Sequence, residues 1–167
     1  MQNELRSYIK SKGERAEKLI ARGEIAGLVL CLTGVFMMMQ KFQHHNSVMI
    51  AGLSLLAFVY AFYGNFLAEI FEIRQKGVLI FSLRVSYLAL AVTTIGILFR
   101  LQHWPAGSAM LFIGCGLTGA FFLFLVYKLY IGRVEEAQIR MLISNLIVRM
   151  LPALLIVVFL IISAIRA

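Results

Sequence analysis

Apolar residues run along this chain in five long blocks, and charged residues gather between them. The blocks lie at about residues 25–42, 47–66, 78–99, 108–127 and 142–165. Each approaches the roughly 20 residues that an α-helix needs to cross a bilayer. The first has an uninterrupted core, 25–39, that is short for this, and Lys41 beyond it can reach toward water and make up the length. Residues 1–23 read differently. Leu5, Tyr8, Ile9, Ala16, Leu19 and Ile20 recur near helical spacing among Arg6, Lys10, Lys12, Arg15, Lys18 and Arg22. That pattern predicts a basic amphipathic helix at a membrane surface, its centre weakened at Gly13 by about 1 kcal/mol relative to Ala. The predicted fold is an all-α integral membrane bundle of five transmembrane helices. Two similar hairpins occupy 24–66 and 78–131, a fifth helix occupies 142–167, and the leader 1–23 precedes them.

Composition supports this reading. Of the residues, 61% are hydrophobic and 14% charged, with a mean hydropathy of +0.88. Soluble domains carry roughly 25% charged residues. The net charge of +8 does not point to nucleic acid, because the basic residues flank apolar blocks. With the N-terminus inside, the cytoplasmic segments hold the six basic residues of the leader, then Arg74, Lys76, Arg84, Lys128, Arg133, Arg140 and Arg149. The outside keeps Lys41, Arg100 and Arg166. Thirteen of the 16 Lys and Arg therefore fall inside, which predicts a cytoplasmic N-terminus and an external C-terminus. No cleavable signal peptide is expected, since the first apolar block follows a long charged segment and is not followed by an A-x-A-like site.

The apolar blocks also repeat. Sliding the chain by 62 residues superposes Gly34 on Gly96, Gln40 on Gln102, Gly52 on Gly114, Leu55 on Leu117 and Phe62 on Phe124 without a gap. Both copies are hairpins with the turn outside, so the duplication is a parallel repeat.

The most distinctive stretch is Gly96-Ile97-Leu98-Phe99-Arg100-Leu101-Gln102-His103-Trp104-Pro105-Ala106-Gly107, followed by Met110-Leu111 and Gly114. It resembles the G-x-L-F-K-x-x-H-W-P-G-A-x-x-M-L-x-x-G pattern in the membrane hairpin of GldL-type proteins, the inner-membrane subunits of the gliding-motility and type IX secretion motor of Bacteroidota. The resemblance covers about 96–124, with a faded copy at 34–62. It implies a bacterial inner-membrane location, a transmembrane hairpin, and docking of a partner through Arg100, His103, Trp104 and Pro105. This chain departs from the family in having five spans and no long cytoplasmic region. It reads Ala106-Gly107 for Gly-Ala. It also has no acid in the stretch Gly114 to Ala120, where the family's second span carries a glutamate linked to proton-driven work. The motor function is therefore not carried over. The same residues have a plain physical role: Trp104 suits an interfacial aromatic belt, and Pro105 suits a helix start.

Other chemistry is sparse. Arg84, Arg149, Glu69 and Glu72 are ionisable residues in or beside the spans, all near cytoplasmic ends, where anchoring or a pair such as Arg84 with Glu69 is expected. His44, His45 and His103 share the external turns but lack metal-ligand spacing, so no metal is expected. Cys31 and Cys115 sit at different depths in the spans and are expected to be free. No catalytic or cofactor motif appears, and neither an enzyme activity nor a cofactor is expected. The expected function is a non-enzymatic membrane subunit or scaffold working through other membrane proteins or copies of itself. The alternative is a small oligomeric transporter or channel, for which Ser54, Thr93, Thr94 and Thr118 are the midplane polar residues.

Overall fold

A single helix, α1 (Gln2–Met39), joins the basic leader to the first apolar block. The structure, a computed structural model, describes residues 2–70, 77–131 and 137–166, and the side chains of 18–65, 77–78, 80–131 and 140–160. Four more helices follow: α2 (His45–Ile70), α3 (Gly77–Leu101), α4 (Gly107–Tyr130) and α5 (Ala137–Arg166). No strand occurs among the described residues. All five helices contain a stretch long and apolar enough to cross a membrane: Lys18–Met39, His45–Asn65, Ile80–Leu101, Gly107–Tyr130 and Arg140–Leu160.

The boundary expected near residue 23, between leader and first span, is not a break in the helix. Nothing there stops one, because α1 contains no proline and a glycine such as Gly13 or Gly23 costs only about 1 kcal/mol relative to Ala. The stretch of α1 long and apolar enough to cross a membrane lies within Lys18–Met39. α5 runs unbroken through Pro152, which lies on its exposed side.

The chain divides into two compact units, residues 1–84 and 85–167, the boundary falling within α3. In the first unit α1 packs on α2 through glycines. A Cβ on Gly52 would stand 2.8 Å from the Cys31 amide nitrogen, and one on Gly34 would strike Met49. In the second unit α3 packs on α4 in the same manner. A Cβ on Gly96 would stand 2.9 Å from Leu111 Cα, and one on Gly114 would stand 2.7 Å from Thr93 Cα. The pairs 34/49 and 31/52 thus recur 62 residues later as 96/111 and 93/114. Small residues let the backbones approach, and dispersion over the contact holds each hairpin together.

Polar groups inside the second hairpin are consumed locally. Thr93 donates to the Ala89 carbonyl at 2.8 Å, so Thr118, 2.7 Å away, donates to Thr93. Thr94 donates to the Leu90 carbonyl at 2.8 Å. Large apolar side chains meanwhile face outward. Ile25, Leu28, Leu32, Phe36 and Met39 are exposed along α1, as are Phe112, Ile113, Leu117 and Leu123 along α4. Hydrocarbon wets such a surface and water does not.

Candidate functional site

The segment between α3 and α4 holds the sequence motif, and each of its residues has a definite place in how α3 ends. Trp104 N–H donates to Phe99 O at 2.9 Å, and His103 N–H donates to Arg100 O at 3.2 Å. His103 is left-handed, with φ 54°. This pair of bonds around a left-handed residue is the Schellman helix stop. The residue after the left-handed position commonly packs back on the helix. Here the Trp104 ring meets Phe99 edge-on at 4.9 Å between centroids. Pro105 then prevents the helix from resuming.

Gly107 opens α4 and fits only because it lacks a side chain, since a Cβ there would stand 2.9 Å from both Arg100 N and the Phe99 carbonyl carbon. Arg100 Nη1 donates to Ser108 Oγ at 3.2 Å across the turn. The motif residues His103, Trp104 and Pro105 are exposed, Trp104 at 46%, and Arg100 is half-buried. Ala106 is also left-handed, at φ 64°, and provides no side-chain cap for α4. A left-handed alanine costs about 1–2 kcal/mol. We predict that His103→Gly and Ala106→Gly, which remove this strain, each raise the unfolding free energy by about 0.5–1 kcal/mol. Chemical unfolding of the detergent-solubilised protein would read this, and a loss of stability in both variants would contradict it.

The turn between α1 and α2 is built by the same hydrogen bonds. Gln40 N to Phe36 O, Lys41 N to Met38 O, Phe42 N to Met37 O, His45 N to Phe42 O and Val48 N to His44 O each have a counterpart 62 residues on. Lys41 takes the left-handed position of His103, at φ 58°. In one respect the turns differ, for Ala106 is left-handed and its counterpart His44 is not. So Lys41-Phe42-Gln43 makes the stop that His103-Trp104-Pro105 makes. His45 Nδ1 lies 2.7 Å from the Phe42 carbonyl and His44 is exposed. No group of three or more metal-ligating side chains occurs among the described residues.

The ionisable residues singled out from sequence are not gathered in this turn. Arg149 lies within the apolar stretch of α5, about two turns past Leu142. Its Nη1 donates to the Tyr87 hydroxyl at 3.1 Å, and Tyr87 is 1% exposed. Arg84 is half-buried, and its Nε is buried with no hydrogen-bond partner among the described residues. The expected partner Glu69 lies in α2 with its side chain outside the described residues, and Glu72 lies outside them altogether.

Sequence reading missed two polar contacts. One is Tyr87, whose only signal was a tyrosine inside an apolar block. The other is Glu24, just before the first apolar block, which accepts a hydrogen bond from Tyr60 at 3.3 Å. Comparison with family models, with characterised proteins and with solved structures found no match to this chain.

Proposed function

We propose that this protein is a non-enzymatic, multi-pass subunit or scaffold of a bacterial inner membrane. Its N-terminus is cytoplasmic, and the turn between α3 and α4 is presented outside for a protein partner. The likeness of 96–124 to the GldL-type hairpin and the clustering of basic residues on one side support the compartment and the orientation.

One observation carries the docking role. The α1–α2 turn achieves the same helix stop with Lys41, Phe42 and Gln43, so the stop does not require histidine, tryptophan and proline. Those residues stand exposed beside a strained alanine, and strain of this kind concentrates at functional positions. The order Ala106-Gly107 gives this turn its own shape, because an alanine at 107 would press on Arg100. The partner is therefore not assumed to be that of the GldL-type proteins.

Transplanting one turn into the other tests this. Replacing His103-Trp104-Pro105 by Lys-Phe-Gln is expected to leave stability within about 1–2 kcal/mol, the scale of the lost Trp104–Phe99 ring contact. It is also expected to abolish any complex of fixed stoichiometry seen by native mass spectrometry of gently extracted protein. A complex that survives the transplant would remove the docking role.

The transporter reading gains one observation, the Glu24 carboxylate between α1 and α2. It loses its polar path at Thr93, Thr94 and Thr118, whose hydroxyls are turned to one another or to their own helix.

A further inference from the structure

Away from the turns that join the helices, one carboxamide of the apolar stretches makes no hydrogen bond among the described residues. Inside the candidate spans Thr33 donates to Val29 O at 2.8 Å, Asn65 to Ala61 O at 3.0 Å and Ser82 to Val78 O at 2.8 Å. Asn145, within the apolar stretch of α5, is exposed and makes no hydrogen bond among the described residues. Ser54 and Ser144 are also exposed and unbonded, but a serine hydroxyl can turn back on a carbonyl of its own helix, as Ser82 does. Asn145 cannot be satisfied that way. Turning its Nδ2 toward the Met141 carbonyl, as Asn65 does toward Ala61, would still leave Oδ1 without a donor. A bare carboxamide facing hydrocarbon is costly.

The surroundings of Asn145 form a seam. Met141, Asn145, Val148, Pro152 and Leu155 are all exposed, and their spacing alternates between four and three residues. Leu142, Ile143, Leu146, Met150 and Val157 fill the opposite, buried face. This is the spacing by which two helices pack knobs into holes, with a single Asn in the seam fixing register and partner number. Arg149 is directed away from the seam by its bond to Tyr87.

We propose that α5 pairs in the membrane with α5 of a second copy of this chain, through an Asn145–Asn145 hydrogen bond. A carboxamide both donates and accepts, so two related by a twofold axis satisfy each other. Copies inserted by the same topology bring their Asn145 side chains to the same depth, which an unrelated partner need not do. The pairing is independent of the turn between α3 and α4 and stands or falls apart from it.

The test uses the full chain in phospholipid vesicles with Cys31 and Cys115 replaced by alanine and one cysteine introduced. Met141→Cys or Val148→Cys, on the seam, is expected to form an interchain disulfide on oxidation. Leu151→Cys, exposed but off the seam, is not. Adding Asn145→Leu is expected to weaken dimerisation about tenfold while leaving the monomer folded by circular dichroism, and Asn145→Gln, which keeps the carboxamide, is expected to retain it. Equal cross-linking on and off the seam, a yield unchanged by Asn145→Leu, a monomer at every protein-to-lipid ratio, or a different protein cross-linked at Val148→Cys would each overturn the proposal.

Discussion

Replacing Gly114 by alanine is expected to destabilise the α3–α4 hairpin by about 2 kcal/mol, the opposite of what helix propensity alone would give. The new methyl would stand 2.7 Å from Thr93 Cα, 2.8 Å from Thr93 N and 2.9 Å from Thr93 Oγ1. Two of those atoms are backbone, so the facing helix must move as a unit and the Thr93–Thr118 bond must stretch with it. Gly96→Ala should behave alike, because its methyl would meet Leu111 N and Cα at 2.9 Å. Gly34→Ala should cost less, since its nearest obstacle is the flexible Met49 side chain and the backbone lies at 3.1 Å. Gly116→Ala and Gly119→Ala meet nothing within 4 Å and should each gain up to about 1 kcal/mol. Unfolding of purified protein by a titrated denaturing detergent measures the series. If Gly114→Ala and Gly116→Ala proved equally stable, the close approach of α3 and α4 would be wrong.

The second large effect concerns Arg149. Tyr87→Phe removes the hydroxyl that accepts from Arg149 Nη1 while keeping the ring that fills the core. A hydrogen bond to a charged group contributes about 1.5–3 kcal/mol, and the loss grows when the charge is left poorly solvated. We expect Tyr87→Phe to destabilise by about 2 kcal/mol. Combined with Arg149→Met, the double variant should lose much less stability than the two single changes would sum to. A double-mutant cycle reads the coupling directly. Additive effects would mean that Arg149 is held by something other than Tyr87.

The helices themselves were plain in the sequence, because block length and apolar density are one-dimensional properties. So was the duplication, since Gly34, Gly52, Gly96 and Gly114 stand where neighbouring backbones come closest. The turn was legible only as a motif. That His103 would be left-handed, and that Trp104 would fold back on Phe99, depends on which residue ends α3, and helix ends are set by competing local hydrogen bonds that composition does not encode. The Arg149–Tyr87 bond was out of reach for another reason. It joins α5 to α3, and nothing in the spacing of either helix announces its partner. The division of α1 into leader and span followed the change from amphipathic to apolar character. The backbone ignores that change, because both halves are made of residues a helix tolerates.

That continuity gives α1 a geometric property. A helix joined without proline or turn carries its axis straight on, so the basic segment is a helical extension of the first hairpin. Residues 2–23, ahead of the first apolar block, span about 33 Å at 1.5 Å per residue. At the other end the helix is clasped to α2 at Gly27, Gly34 and Gly52. A partner that grips the basic segment therefore holds a helix whose other end is packed against α2.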